Sequence, residues 1–510
     1  MALLVKREYF KSTTELLAEA ATRVGPGASY YALTMGGRQI GYSASTIDTT
    51  PDGVSVQNNT VFDVQALGSV QRTGIIQSYN LTRTLRLRNF EAVLTGETAR
   101  FQARGTVEGD SVLAMTLEAG GAPQRQRIRL DRPLVMSELV NLQLAIGGEL
   151  EVGRSFTIRS FDPLTMQQRS VELTVMAEST FIVPDSAILD DATQRWVPAT
   201  YDTLRSFMVR QSMAGVEFDA WIDEMGNIVR ASSPIGIEVQ RTAFEIAVQN
   251  YRNDRARGLS GAAGANSDLI NSTAIQANQE LEPENLDQLR VRLVNVALGG
   301  FDLSGGRQQL SGDTLLITRE WDPGRPSGPR YTARGPGSAG FEARLPIVGT
   351  GDTMIARALE AEPLIQKNDP RIEAQMRRIV GRERRAGHVA RLINEWVYEN
   401  LEKKITVSVP SAAQVLELRA GDCNEHTVLY TALARAAGLP TRMAAGVVYL
   451  RGRFFYHAWP EVWLGEWVAV DPTFGQFPAD AAHLRFVIGG LAQQVELVRL
   501  IGRLQLEVVR

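Results

Sequence analysis

The chain has a single cysteine, Cys423, in 510 residues. That excludes an intramolecular disulfide framework and cysteine-cluster zinc sites. No stretch approaches the roughly 18 apolar residues of a membrane-spanning helix. The start, Met-Ala-Leu-Leu-Val-Lys-Arg-Glu-Tyr-Phe, has no apolar region long enough for a signal peptide. There is also no excess of charge. Fifty-four Lys and Arg against 57 Asp and Glu leave a net charge of -3, which gives no bulk reason to expect nucleic acid as a partner. No internal repeat is visible. What remains is a chain too long for one core, so roughly two to four domains are expected.

Turn signals and alternating apolar residues make residues 28–252 an antiparallel β-rich domain. Segments 29–35 and 38–47 flank Gly36-Gly37 as a hairpin. Further strands are expected at 54–67, 85–94, 101–108, 111–118 and 125–130, with turns at Gly109-Asp110 and Gly120-Gly121. After a helix at 136–146 the strands resume at 155–159, 169–176, 201–210 and 217–222. A sandwich, or a large curved sheet with a helix on one face, suits this spacing. Residues 1–27 read as an N-terminal helical or membrane-proximal segment. Residues 253–285 read as a linker of small polar residues. A short middle β segment follows at 286–350, with a Pro/Gly-rich loop at 322–336. Helical periodicity then dominates 351–510, where Val389, Leu392, Ile393, Trp396, Val397 and Leu401 mark one buried stripe. The fold class is therefore α+β.

Cys423 opens a helix-like run whose apolar stripe is Val428, Leu429, Ala432, Leu433 and Ala436. Asp422 is the expected N-cap, Gly438 the residue just past the end, and Pro440 the stop. A cysteine in the first turn meets the positive end of the helix dipole, which favours thiolate, and the free N–H groups there could hold an oxyanion. Downstream, 454–462 and 466–471 read as two strands joined by Trp463-Leu464-Gly465. That register pairs Val462 with Glu466 and sets His457 directly opposite Asp471, on the same face. A thiol, an imidazole and a carboxylate in that order are the parts of a cysteine nucleophile, its base and the base's orienter. Trp459, Trp463 and Trp467 read first as packing, with Trp459 kept as a secondary site candidate. Cys423, His426, His457 and His483 could be imagined as a zinc site, but a reactive thiol with a strand-borne His–Asp pair explains them better, so no metal or cofactor is expected.

Gly421-Asp422-Cys423, Ala434-Arg435-Ala436-Ala437-Gly438-Leu439-Pro440-Thr441-Arg442, His457-Ala458-Trp459-Pro460-Glu461 and Trp467-Val468-Ala469-Val470-Asp471-Pro472-Thr473 together resemble the transglutaminase-like superfamily of papain-related cysteine enzymes. The resemblance implies a C-terminal core with the nucleophile at a helix start, packed against a sheet that carries His and Asp. Carried over, Cys423 is nucleophile, His457 base and acid, and Asp471 orienter. The upstream oxyanion tryptophan of the animal crosslinking enzymes has no clean counterpart, since Trp396 lies on the buried stripe. Gln414 is the candidate amide donor instead, as in papain-like enzymes. Calcium-binding acidic loops have no evident counterpart. Next to Cys423, Glu425 extends the motif, and His426 lies one turn on, where it could contact substrate, help form the thiolate, or pack.

The functional expectation is a cysteine-dependent amide hydrolase of peptidase type, acting on protein or peptide substrates through a thioester. Two alternatives stand beside it: a protein-glutamine acyltransferase, and a non-catalytic envelope binding or scaffold protein. The β-rich half faintly resembles the curved sheets of bacterial lipoprotein-carrier and related envelope proteins. That implies an envelope polypeptide or a lipid-linked ligand as its partner. It also implies an extracytoplasmic site of action in the periplasm or cell envelope, with a leader or membrane anchor removed. With Met1 as the native start the expectation is cytoplasmic.

Overall fold

A computed structural model describes residues 26–509, apart from 51, 67–68, 98, 148–149, 164–165, 214–215, 234, 260–267, 321–340, 348–351 and 407–408. The expected segment at the N-terminus, up to residue 25, and the loop at 322–336 lie outside the described residues. The chain divides into two compact units, one of residues 1–117 and 124–268, the other of 118–123 and 269–510.

The first unit is one sheet, antiparallel except where the edge strand Val135–Met136 runs parallel to Ser155–Asp162. Fifteen strands form one sheet, so the sandwich alternative does not hold. The first strand, Gly27–Met35, pairs with Arg38–Thr50 on one side and with the last, Ile237–Thr242, on the other. Each later neighbour follows in sequence, out to edge strands Gln124–Arg129 and Val135–Met136. The helix Val140–Ile146 fills one face, where Val140 and Leu144 pack against Leu173, Val175, Val209 and Ile222.

Two features differ from expectation. Ser69–Thr82 is a full strand, although its polar residues hid the alternation. Gln167–Asp190 and Arg195–Met213 form a ribbon far longer than the two short strands foreseen. Pro184 and Pro198 lie within it, and register shifts at Pro184/Ser186 and Ser186/Ala187 accommodate them as bulges. A π-helical turn at Glu245–Gln249 continues into the helix Asn250–Ala256.

Among its described residues the second unit mixes helices with two larger sheets and a two-stranded pair, Glu402–Lys403 with Ala420–Gly421. Asp369 caps Pro370–Val380, Ser411 caps Ala412–Leu418, and Asp422 caps Cys423–Ala436. With Ala386–Asn400 these helices bury one core in which Val389, Ile393, Val397, Leu429 and Leu433 are fully enclosed. Leu392, on the expected stripe, lies at its edge and is exposed. Losing a side chain such as Leu433 to alanine typically costs about 2–5 kcal/mol. Thr441–Leu450, Arg453–Trp463 and His483–Ile488 form the central sheet against which the cysteine helix packs. A second sheet joins Gln288–Val294 of the middle segment to the C-terminal strand Gln505–Val509. Its Leu289, Val291 and Leu293 share one core with Val447, Phe454, Leu484 and Phe486 of the central sheet. The molecule is thus α+β, with a β-rich N-terminal region and helices in the C-terminal region.

Candidate active site

Asp422 begins the site. Its Oδ1 accepts the Asn424 N–H at 2.8 Å, and Glu425 Oε2 accepts the Asp422 N–H at 3.0 Å, closing a capping box. Thr406 Oγ1 donates to the other Glu425 oxygen at 2.6 Å. Such a cap is worth about 1 kcal/mol and fixes where the helix starts. Cys423 is therefore the first helical residue, as its position in sequence implied, and it stays partly exposed.

The expected thiolate is not what these surroundings favour. Burial around the sulfur pushes the thiol well above its usual range, and the charge of Asp422 adds to the effect. The Ala458 N–H, donating to the sulfur, opposes both and does not win. Burial first, and then the two carboxyl groups at the helix start, keep the sulfur protonated. Burial also raises Asp422 itself, and the neighbouring Glu425 charge reinforces that.

The strand Arg453–Trp463 presents His457, and the segment after Trp467–Ala469 presents Asp471. Trp463 pairs with Trp467 and Val462 with Val468, around the turn Leu464–Gly465–Glu466 with Gly465 at φ +87°. The register is two residues away from the expected one, so Asp471 is not directly opposite His457. A shift of two preserves the face, and the contact survives: His457 Nε2 lies 2.7 Å from Asp471 Oδ2. Asp471 has left the ladder by then. Its Oδ1 accepts the N–H groups of Thr473 (2.7 Å) and Phe474 (3.1 Å), locking the Asp-Pro-Thr turn. Because the ionised carboxylate only accepts, His457 Nε2 is the donor in this bond, which leaves Nδ1 as the nitrogen free to exchange a proton. Phe474 stacks on the His457 ring at 4.9 Å and 14°.

Asp471 has a second imidazole. His483 Nε2 lies 2.9 Å from the same Oδ2, and His483 Nδ1 lies 2.9 Å from Asp480 Oδ1. Burial would raise the Asp471 carboxyl, yet the two imidazoles hold it far below the usual carboxylate range. Burial would likewise raise Asp480, which His483 holds down at about 2. For His483 burial lowers the pKa, but Asp480 and Asp471 raise it to about 9. The sequence reading gave neither His483 nor Asp480 this role. The available signal was the Asp480-Ala481-Ala482-His483 spacing, in a chain with only four histidines.

The remaining candidates fall outside the reacting groups. His426 is fully buried, so substrate contact is excluded. Its Nδ1 donates to the Asp422 carbonyl at 2.7 Å, and burial lowers its pKa, which keeps the ring neutral. Its Nε2 is enclosed without a partner. Gln414 turns toward its own helix cap, with Oε1 3.4 Å from Ser411 Oγ and its side chain packed over Gly120. Trp459 is 1% exposed and packs edge-on to His483 at 5.2 Å, a packing role. Trp396 lies under the Arg419 guanidinium at 4.5 Å. The imagined zinc set does not converge. Among the described residues the three side chains that meet with ligand-type atoms within 4.8 Å are His457, Asp471 and His483.

A helix start bearing a thiol, packed on a sheet that bears a histidine and an aspartate, is the core of a cysteine-enzyme family. Residues 373–472 match the family model of the Transglutaminase-like superfamily. The matched stretch ends before Asp480 and His483. Among solved structures, a candidate cysteine protease from Cytophaga hutchinsonii is 15% identical, with a TM-score of 0.28, over 46% of this chain and 82% of that one. The periplasmic domain of TgpA from Pseudomonas aeruginosa, bound to ethylmercury, is 18% identical, with a TM-score of 0.24, over 41% and 77%. A β-barrel-like protein of a domain of unknown function from Brucella abortus is 11% identical, with a TM-score of 0.30, over 43% and 95%. No curated protein matches the chain. Among the described residues no helix is long and apolar enough to cross a membrane.

Proposed function

We propose that the second unit is a cysteine-dependent amide hydrolase acting on protein or peptide substrates, with Cys423 as nucleophile, His457 as base and acid, and Asp471 as orienter. One observation carries this reading: His457 Nε2 is fixed on Asp471 at 2.7 Å, while the next residue's N–H, that of Ala458, reaches the Cys423 sulfur. The thiol rests protonated, so His457 Nδ1 removes its proton as the sulfur attacks the carbonyl carbon. The imidazolium then gives that proton to the leaving amine, and a thioester remains. Water, activated by the same nitrogen, releases the acid and restores the thiol. N–H groups of the first helical turn, starting with that of Cys423, are the oxyanion donors in this scheme. A cavity of about 630 Å³ beside Phe474, lined also by Leu281, Tyr449, Arg451 and Asp480, offers room for a substrate side chain.

Acyl transfer to an amine shares every step up to the thioester. Water is present at tens of molar, so transfer needs an amine site that excludes it, and hydrolysis is ranked first. The test is incubation with a glutamine-containing peptide library and excess primary amine, followed by mass spectrometry, with Cys423→Ala as control. Cleaved or deamidated products that vanish in the control support hydrolysis, whereas predominantly amine-linked products reverse the ranking. No product, together with no labelling of Cys423 by an alkylating probe, leaves a binding or scaffold role. Action outside the cytoplasm, with an envelope polypeptide or lipid-linked ligand at the β-rich unit, belongs to the same proposal. Fractionation of cells producing the native gene product tests the location.

A further inference from the structure

The reacting groups sit at one end of a longer buried chain of charges: His457, Asp471, His483 and Asp480. We infer that His483, held by Asp480, is a positioning residue that fixes Asp471 Oδ2 and, as a cation, offsets part of the negative charge Asp471 presents to His457. The inference rests on the hydrolase reading for its catalytic meaning, but the charge arrangement can be tested without turnover.

The geometry carries the argument. His483 is fully buried, and each ring nitrogen lies 2.9 Å from a carboxylate oxygen. Ionised carboxylates only accept, so both nitrogens carry protons and the ring is an imidazolium. The raised pKa of about 9 agrees with that. Asp480 is itself fixed, since its Oδ1 accepts the Ala482 N–H at 2.9 Å and its Oδ2 accepts from Gln476 Nε2 at 2.8 Å. From the opposite side, Arg307 donates to the Asp480 and His483 carbonyls (2.9 and 3.2 Å) and pairs with buried Glu320 at 3.5 Å, so its charge is largely spent there. The groups facing the imidazolium are therefore Asp471, Asp480, the His457 ring and the balanced Arg307–Glu320 pair.

In a simple triad the carboxylate lends its whole charge to one imidazole. Here one oxygen, Asp471 Oδ2, serves two, and the ring centroids of His457 and His483 are 5.9 Å apart. A fixed cation at that distance disfavours a second one. At an effective dielectric of about 20, a charge at that separation is worth on the order of one to two pH units to a neighbouring imidazole. The device keeps the orienter ionised while tempering its pull on His457.

The experiment is ¹⁵N NMR of the imidazoles, four in all, in the full chain carrying Cys423→Ala. His483 is expected to show two protonated nitrogens at pH 7.5, and adding His483→Gln should move the His457 midpoint up by one to two pH units. Asp480→Asn, the second variant should His483→Gln fail to fold, is expected to bring the His483 titration down toward neutrality. A neutral His483 at pH 7 overturns the inference, as does a His457 midpoint unmoved in both variants. With the cysteine present, the acid limb of kcat/KM should rise by the same one to two units in His483→Gln, with kcat falling roughly tenfold, the scale of lost outer-shell support, and KM little changed. A residue that merely fills space would lower kcat without moving the limb. Absence of turnover in the unaltered chain refutes the hydrolase reading and leaves the NMR result to decide this one.

Discussion

Each unit of the molecule holds a carboxyl group cut off from solvent, and the two are driven in opposite directions. In the first unit Glu138 is half-buried as a residue, but its Oε2 is enclosed and without a partner, and Oε1 accepts from Gln77 Nε2 at 2.8 Å. Burial raises its pKa and its hydrogen bonds do not bring it back. In the second unit Asp471 is fully buried, yet it is held ionised between two imidazoles. Burial sets the size of the electrostatic stake, and only a cation within hydrogen-bond reach decides its sign. The first unit also has exposed ion pairs, as in Arg205 with Glu178 and Glu224, beside partly buried ones such as Arg241 with Asp223. The second concentrates ionised groups inside, where they are worth enough to shape a reaction.

The comparison is most sharply broken at Asp471. Asp471→Asn should lower turnover by roughly 10³–10⁴-fold, because an amide no longer fixes the His457 tautomer or stabilises its cation. Steady-state kinetics, alongside circular dichroism to show an intact fold, measures this, and unchanged turnover would remove Asp471 from the mechanism.

A pH effect of the second unit comes next. The pKa of His483 is raised, so its stabilising contribution is complete below the unfolded value near 6.5 and is lost as pH climbs through about 9. Integrated over that window it amounts to about 3 kcal/mol. Buried Glu320, raised by desolvation to about 7, acts in the same direction between the unfolded value near 4.5 and 7. Denaturant unfolding followed from pH 6 to 9.5 should show the decline, and His483→Gln should flatten the part above pH 7.

Smaller still is Glu138→Gln. Burial already disfavours the Glu138 charge, so an amide there costs little, and stability at pH 5 should change by less than about 1 kcal/mol. The unaltered chain should lose stability as rising pH ionises Glu138, and the variant should not; an equal loss in both refutes the assignment of a neutral carboxyl. Smallest is Arg205→Ala, an exposed pair broken at the surface, for which the melting temperature should stay unchanged within error.

Local signals were the legible ones. Asp422, Cys423 and Gly438 could be placed from sequence because a cap, a first turn and a positive-φ stop are each settled within a few residues, and Gly438 indeed has φ +82°. The hairpin was readable in outline only. Counting the loop as 463–465 ignored the pairing of Trp463 with Trp467, whose rings meet edge-on at 5.4 Å while Arg442 lies over Trp467 at 4.2 Å. Parity saved the His457–Asp471 contact, since a two-residue slip returns side chains to the same face. The readings of His426 stayed open and the thiol was expected as thiolate because helix position says which way a side chain leaves the backbone but not what encloses it.

The sequence by itself determined the chemistry on offer: one thiol at a capped helix start, a histidine and an aspartate on one face of a hairpin and the segment that follows it, and a β-rich first half. Those features depend on residue type and short-range periodicity, which a linear chain carries directly. Only the tertiary structure decided the charge state of the site. It brought Asp480 and His483 beneath Asp471, it enclosed the sulfur among carboxyl groups, and it turned Gln414 toward its own cap. Electrostatic energy depends on distance and on exclusion of water, and both arise from contacts between segments far apart in sequence.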